Sequence, residues 1–227
     1  MDGGALSLVG EWWLAFFYGH TPENYRIGHV EVHHGEGNDH GDASSTLYLD
    51  RSKPGSFVRY MGDFGEFWMG FAVCEYFAER IRLGTSKDLA RDHRNYYLQL
   101  SGIVAQYGVL AAFAFFVDPL FAIMYFWVPT LETTNYLAAI NYTWHTFVDP
   151  DDIDNEYVKS ITIIDGHYAL YGEDFHVEHH LRPGLHFTKS EDTFNSRKEE
   201  YAKNKVCSNH LHWLRGLPAQ PASLRVV

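Results

Sequence analysis

Cysteine is nearly missing from this chain. Cys74 and Cys207 are the only two in 227 residues, which excludes the disulfide framework of a small secreted protein and fits a reducing, cytosol-facing chemistry. Basic charge is also short: 18 Lys and Arg stand against 29 Asp and Glu, a net charge of −11. That balance excludes a nucleic-acid binder, which needs a basic face. No basic n-region or small-residue cleavage site accompanies the apolar stretch from Ala5 to Tyr18, so it is not read as a signal peptide; it is too short for a whole span and fits the end of one. There is no internal repeat or low-complexity tract.

Charge is scarcest in the middle of the chain. No Lys or Arg occurs between Arg94 and Lys159, and the only acids from Asn95 through Val148 are Asp118 and Glu132. A mean hydropathy of −0.27 therefore averages over unlike parts. The run from Leu98 to Val117 is long enough to cross a bilayer and predicts a transmembrane helix. Asp118-Pro119 predicts a turn, because proline cannot continue a helix and restricts the residue before it. From Leu120 to Trp144 the sequence is apolar again, with Pro129 and Glu132 inside it. The expected unit is a membrane hairpin; a buried hairpin in a soluble protein is the alternative.

Around the hairpin the expectations are amphipathic. Phe64 to Leu83 mixes aromatics with Glu66, Glu75, Glu79, Arg80 and Arg82, which suits a helix lying at a membrane interface. Arg80, Arg82, Lys87, Arg91 and Arg94 cluster before the hairpin and place that end in the cytosol. Two crossings return the chain to the same side. Lys189 to Lys205 reads as a charged helical segment with Ser190 as its cap. The expected fold is all-α: an integral-membrane protein with a transmembrane hairpin and a cytosolic His-rich helical cap. Residues 1–188 form the principal domain and 189–227 a charged cytosolic tail.

What the chain has in excess is histidine, 14 residues, about twice the usual share. Six fall in two boxes, His29-Val-Glu-Val-His33-His34 and His176-Val-Glu-His179-His180. On an α-helix, His29 and His33 lie one turn apart, as do His176, His179 and His180, so their imidazoles share a side. Adjacent histidines diverge by about 100°, which lets one box serve two metals. Imidazole-rich sites suit iron, zinc, copper or nickel, and residue type alone does not choose among them. Asn141 and His145, four apart at the end of the second hairpin arm, can face the same site.

With these elements in place the chain resembles the membrane fatty acid desaturases, the histidine-box family that activates oxygen at two irons. The resemblance runs from about His20 to Thr188. It comprises YRIGHVEVHH followed by GNDHGD, the charge-free hairpin, NYTWHTFVDPDD and EDFHVEHHLRPGLHF, in the family's order. HVEVHH is similar to the second box, HVEHH to the third, and Asn141-x-x-x-His145 to the extra ligand pair before the third. The resemblance implies a metal set of His29, His33, His34, Asn141, His145, His176, His179 and His180, two iron ions, and dioxygen as co-substrate. It implies removal of two hydrogens from an acyl lipid or acyl-CoA. A hydroxylase or ketolase of lipids is the alternative within the same chemistry.

Several finer expectations follow. Glu31, Asp174 and Glu178 are candidates to orient imidazole N–H groups, and Tyr107, Phe115 and Tyr125 to wall an acyl channel. No fused haem domain accompanies the boxes, so electrons would come from a separate carrier, cytochrome b5 or ferredoxin, with the endoplasmic reticulum membrane favoured and the boxes facing the cytosol. The family's first box, an H-x(3–4)-H pair, is absent: before His29 there is only His20, with Pro22 close behind. Either the gene model begins too late or the chain is a catalytically inactive relative. His40, His93, His167, His186, His210 and His212 are read as lying outside the metal set. Cys207-x-x-His210-x-His212 lacks a fourth zinc ligand, and the acidic run from Asp149 to Glu156 lacks the glycine and terminal glutamate of a calcium loop.

Overall fold

The computed structural model describes residues 5–145, 152, 154–163, 172–204 and 207–209. It is mostly helical and divides into two compact units, residues 1–36 with 40–140, and residues 37–39 with 141–227. His167, His210, His212 and much of the acidic run from Asp149 lie outside the described residues.

The first unit begins with α1, a helix over 5–18 whose middle, Gly10–Leu14, is π-wound. The helix α2 covers 25–36: Tyr25–His33 is π-wound and His34–Glu36 closes it as α-helix. Next come α3 (Ser56–Trp68) and α4 (Phe71–Leu83). They replace the single interfacial helix expected from Phe64 to Leu83. The break is at Gly70, whose φ of 87° is a left-handed conformation that a side chain resists, and a Cβ there would collide with the Gln99 amide.

The long helix α5 (Leu89–Phe116) starts nine residues before the apolar run does. Asp88 caps it, its carboxylate accepting from the Arg91 N–H at 3.0 Å, an interaction of about 1 kcal/mol. Arg91 and Arg94 therefore lie on the helix itself rather than in the approach to it. Its faces are inverted relative to a soluble core helix. Asp92, Asn95, Gln99 and Gln106 are buried, while Tyr97, Val104, Phe115 and Phe116 are exposed, the last two at about 80%. Gly102 lies on the buried face, where a Cβ would strike the Pro22 carbonyl. Amides turned inward and aromatics outward are the pattern that an apolar surrounding would favour. Among the described residues it is the one helix long and apolar enough to cross a membrane, with a mean hydropathy of 1.5 over its best window and 22% of that window buried.

Asp118 makes the expected turn, its carboxylate accepting from the Phe121 N–H at 2.8 Å with Pro119 in the first helical turn. The second arm, α6, then runs over 119–144. Pro129 does not break it. The turn before it, Ile123–Trp127, is π-wound, a frequent way for a helix to absorb a residue without an N–H. Thr130 Oγ1 donates to the Phe126 carbonyl at 2.8 Å beside it. Phe113 on α5 packs against Phe121 and Phe126 on α6, with ring centroids 5.7 and 4.8 Å apart. Between the arms lies an apolar cleft of about 450 Å³ lined by Tyr107, Leu110, Ala114, Pro119, Ala122, Ile123 and Trp127. Phe115 and Tyr125 do not line it; both face outward, so of the three expected channel residues only Tyr107 is placed at a cavity.

The second unit holds the last turn of α6, a 3-10 turn at Glu156–Val158, and a parallel strand pair, Ile161–Ile163 with Cys207–Asn209. The helices α7 (His176–Leu181), α8 (Ser190–Ser196) and α9 (Lys198–Lys203) complete it. Its core is Phe175, Val177, Phe194 and Tyr201. Ser190 is the first residue of α8 and not its cap. The preceding 3-10 turn, Phe187–Lys189, is entered through His186, whose Nδ1 accepts from the Thr188 N–H.

Candidate metal centre

In the first unit, π-winding decides how the histidines meet. Each backbone N–H in such a turn reaches back five residues, and the His34 N–H donates to the His29 carbonyl. His34 therefore comes round beneath His29, their ring centroids 4.7 Å apart and their Nε2 atoms 3.2 Å apart. His33, the neighbour expected on an α-helix, stacks on His29 at 5.4 Å. The α-helical expectation put His33 under His29 and turned His34 away. The structure brings both rings to it.

The helix carrying this trio is pinned from outside. Glu31 accepts from Arg26 Nη1 at 3.0 Å, Arg91 Nε and Nη2 at 3.1 and 2.9 Å, and Asn95 Nδ2 at 2.6 Å. Glu31 thus ties α2 to α5 and does not orient an imidazole, contrary to expectation. That task belongs to Asp42, fully buried, whose Oδ2 is 2.7 Å from His33 Nδ1. Burial alone would raise the Asp42 carboxyl, but His33 and the Ser44 donors outweigh it and hold its pKa below the usual value. Asp42 belongs to the GNDHGD run, and its proximity in sequence to the box was the available signal.

In the second unit α7 is an ordinary α-helix, and His176 and His180 meet across one turn, centroids 4.7 Å apart. His145, fully buried at the end of α6, joins them at 5.1 and 4.9 Å. Its Nε2 is 3.3 Å from that of His176, and its Nδ1 donates to the Lys159 carbonyl at 2.7 Å. One ligand atom from each of His145, His176 and His180 lies within 4.8 Å of the others. Asn141 is buried one turn before His145. Trp144 stacks on His176, centroids 4.4 Å apart. Glu173 stands 3.5 Å from His176 Nδ1 and 3.6 Å from His179 Nε2. Of the acids expected there, Glu178 accepts from Arg182 at 2.6 Å, and burial raises the Asp174 carboxyl.

These separations suit a transition metal. Two nitrogens each about 2.1 Å from one ion, at angles between octahedral and tetrahedral, lie about 3.0–3.4 Å apart. The 3.2 Å pair in one unit and the 3.3 Å pair in the other both fall in that interval. Neutral imidazole is a donor for iron, zinc, copper and nickel alike. The remaining described histidines lie elsewhere. His20 bonds the Thr21 carbonyl, and burial lowers its pKa. His93 stacks on Tyr97, and His40 is exposed.

No curated protein and no solved structure matches the chain. A family model does, the one described as fatty acid desaturase, over residues 4–211. That span contains both histidine boxes, the long helix and His145. The chain belongs to the fatty acid desaturase family.

Proposed function

We propose that His29, His33, His34, Asn141, His145, His176, His179 and His180 are ligands of a two-iron centre that, once completed in place of the absent first box, desaturates a fatty acyl chain with dioxygen. Residues 1–188 are its working domain and 189–227 a charged cytosolic tail. Family membership supports an oxidoreductase of the desaturase and hydroxylase kind acting on lipid. The observation that carries the metal reading is the pair of Nε2 separations, His29 to His34 and His145 to His176, each the bite of one ion. Iron held there would activate dioxygen, the oxidant for an unactivated methylene, a power no side chain possesses.

The protein's own share is placement and exclusion. Glu31 and its partners fix the helix that carries the first trio, and the Lys159 carbonyl sets the tautomer of His145. The apolar cleft beside Tyr107 is of a chemistry to take a hydrocarbon chain. The long helix and the second arm cross the membrane as a hairpin, the histidines facing the cytosol, in the endoplasmic reticulum. Electrons come from a separate carrier such as cytochrome b5 or ferredoxin.

Expression of the full chain in yeast with fatty acid profiling tests the reaction. New unsaturation is expected. Hydroxylated lipid without new unsaturation would replace the desaturase reading with the hydroxylase one, and an unchanged profile with no bound iron would mark an inactive relative.

A further inference from the structure

We propose that Asp42 is a positioning residue, which with Ser44 locks His33 into the tautomer that carries its proton on Nδ1 and its lone pair on Nε2. The inference deepens the reading of His33 as a metal ligand and rests on it for its consequence, though not for its geometry.

Three groups converge on a buried corner: His33 Nδ1, the Asp42 carboxylate and the Ser44 hydroxyl. Asp42 Oδ2 is 2.7 Å from Nδ1, and Ser44 Oγ is 2.9 Å from it. The same hydroxyl is 2.8 Å from Asp42 Oδ1, which also accepts the Ser44 backbone N–H at 2.8 Å. A hydroxyl has one proton to give. If Ser44 gave it to Nδ1, that nitrogen would be bare and would face a carboxylate oxygen at 2.7 Å with no proton between them. The arrangement without a clash of lone pairs has Ser44 donating to Asp42 and Nδ1–H donating to Asp42, with the Ser44 oxygen as a second acceptor. The neutral ring then bears its lone pair on Nε2.

The corner is built to hold that state. His33 and Asp42 have side-chain exposures of 1% and 0%. Tyr60, itself fully buried, donates its hydroxyl to the Ser44 carbonyl at 3.0 Å and fixes the turn. The Ser45 N–H closes the same turn on the Asp42 carbonyl at 3.0 Å. His145 reaches the same tautomer by donating to a neutral carbonyl. His33 donates to an anion instead, which makes its Nε2 a stronger donor to a metal.

The test uses the full-length chain in detergent. Magic-angle-spinning 15N spectra of histidine-labelled, metal-free protein, with His33 assigned by difference against His33→Gln, are expected to show His33 in the Nδ1–H form. An Nε2–H form would overturn the proposal, and this readout needs neither bound metal nor a stable variant of Asp42. Cobalt(II) titration followed by visible absorption supplies the consequence: Asp42→Asn is expected to weaken binding about 10–100-fold, and unchanged affinity would overturn the role assigned to Asp42. Failure of the wild-type chain to bind cobalt or iron would instead defeat the metal reading, while the spectra would still decide the tautomer.

Discussion

The two histidine boxes differ by one residue and arrive at one geometry. In HVEVHH the first and last histidines are five apart, in HVEHH four. The first box is π-wound and the second α-helical. The outcome is nearly the same: first-to-last ring centroids at 4.7 Å in both, with interplanar angles of 78° and 76°. The inner pairs agree as well, His29 with His33 at 5.4 Å and 29°, His176 with His179 at 5.5 Å and 26°. An i,i+5 turn absorbs the additional residue that an i,i+4 turn would throw off by about 100°. The winding therefore serves the ring geometry, not the spacing of the letters.

The strongest way to break this equivalence is to put the extra residue where no π-turn is provided. Inserting one Ala between Glu178 and His179 is expected to abolish binding of a second metal equivalent, read by metal analysis of the purified chain. Retention of both equivalents would show that ring placement does not matter. Next in size are the anchors. Glu31→Ala removes four hydrogen bonds that hold the π-wound box and takes the Glu31 acceptor from Arg91 and Asn95, while Arg26 keeps Glu23. A loss of about 1–3 kcal/mol in unfolding free energy is expected. Glu178→Gln, which touches only Arg182 among the described hydrogen bonds, should change stability less; a larger loss there would reverse the ranking of the two boxes. Smaller again is Trp144→Leu, which removes the stack on His176. It should cost about 1 kcal/mol, checked by thermal unfolding of the metal-free chain.

The letters themselves located both boxes, His145, the charge-poor helix and the Asp118-Pro119 turn, because each rests on local chemistry: ligand type, apolar length, or a missing N–H. What escaped depends on tertiary contact. Helical periodicity assumes 3.6 residues per turn, so it misplaced His34 relative to His29. Proximity in sequence suggested Glu31 and Glu178 as partners of imidazoles, whereas Glu31 is claimed by Arg91, reached through folding, and Glu178 by Arg182 one helical turn on. Asp42, nine residues beyond His33, and the Lys159 carbonyl, fourteen beyond His145, meet their imidazoles at separations that helical periodicity does not single out. The split at Gly70 was hidden because glycine is one of several small residues until its φ is known.

The central claim is that His29 with His34 and His145 with His176 each close on one iron. Iron content of the purified full-length chain, measured beside the double variants His29→Ala/His34→Ala and His145→Ala/His176→Ala, tests it directly. The account predicts about two irons per wild-type chain, the number typical of the family, and the loss of about one with either pair. A wild-type chain without iron, or either double variant that keeps the full wild-type content, would contradict it.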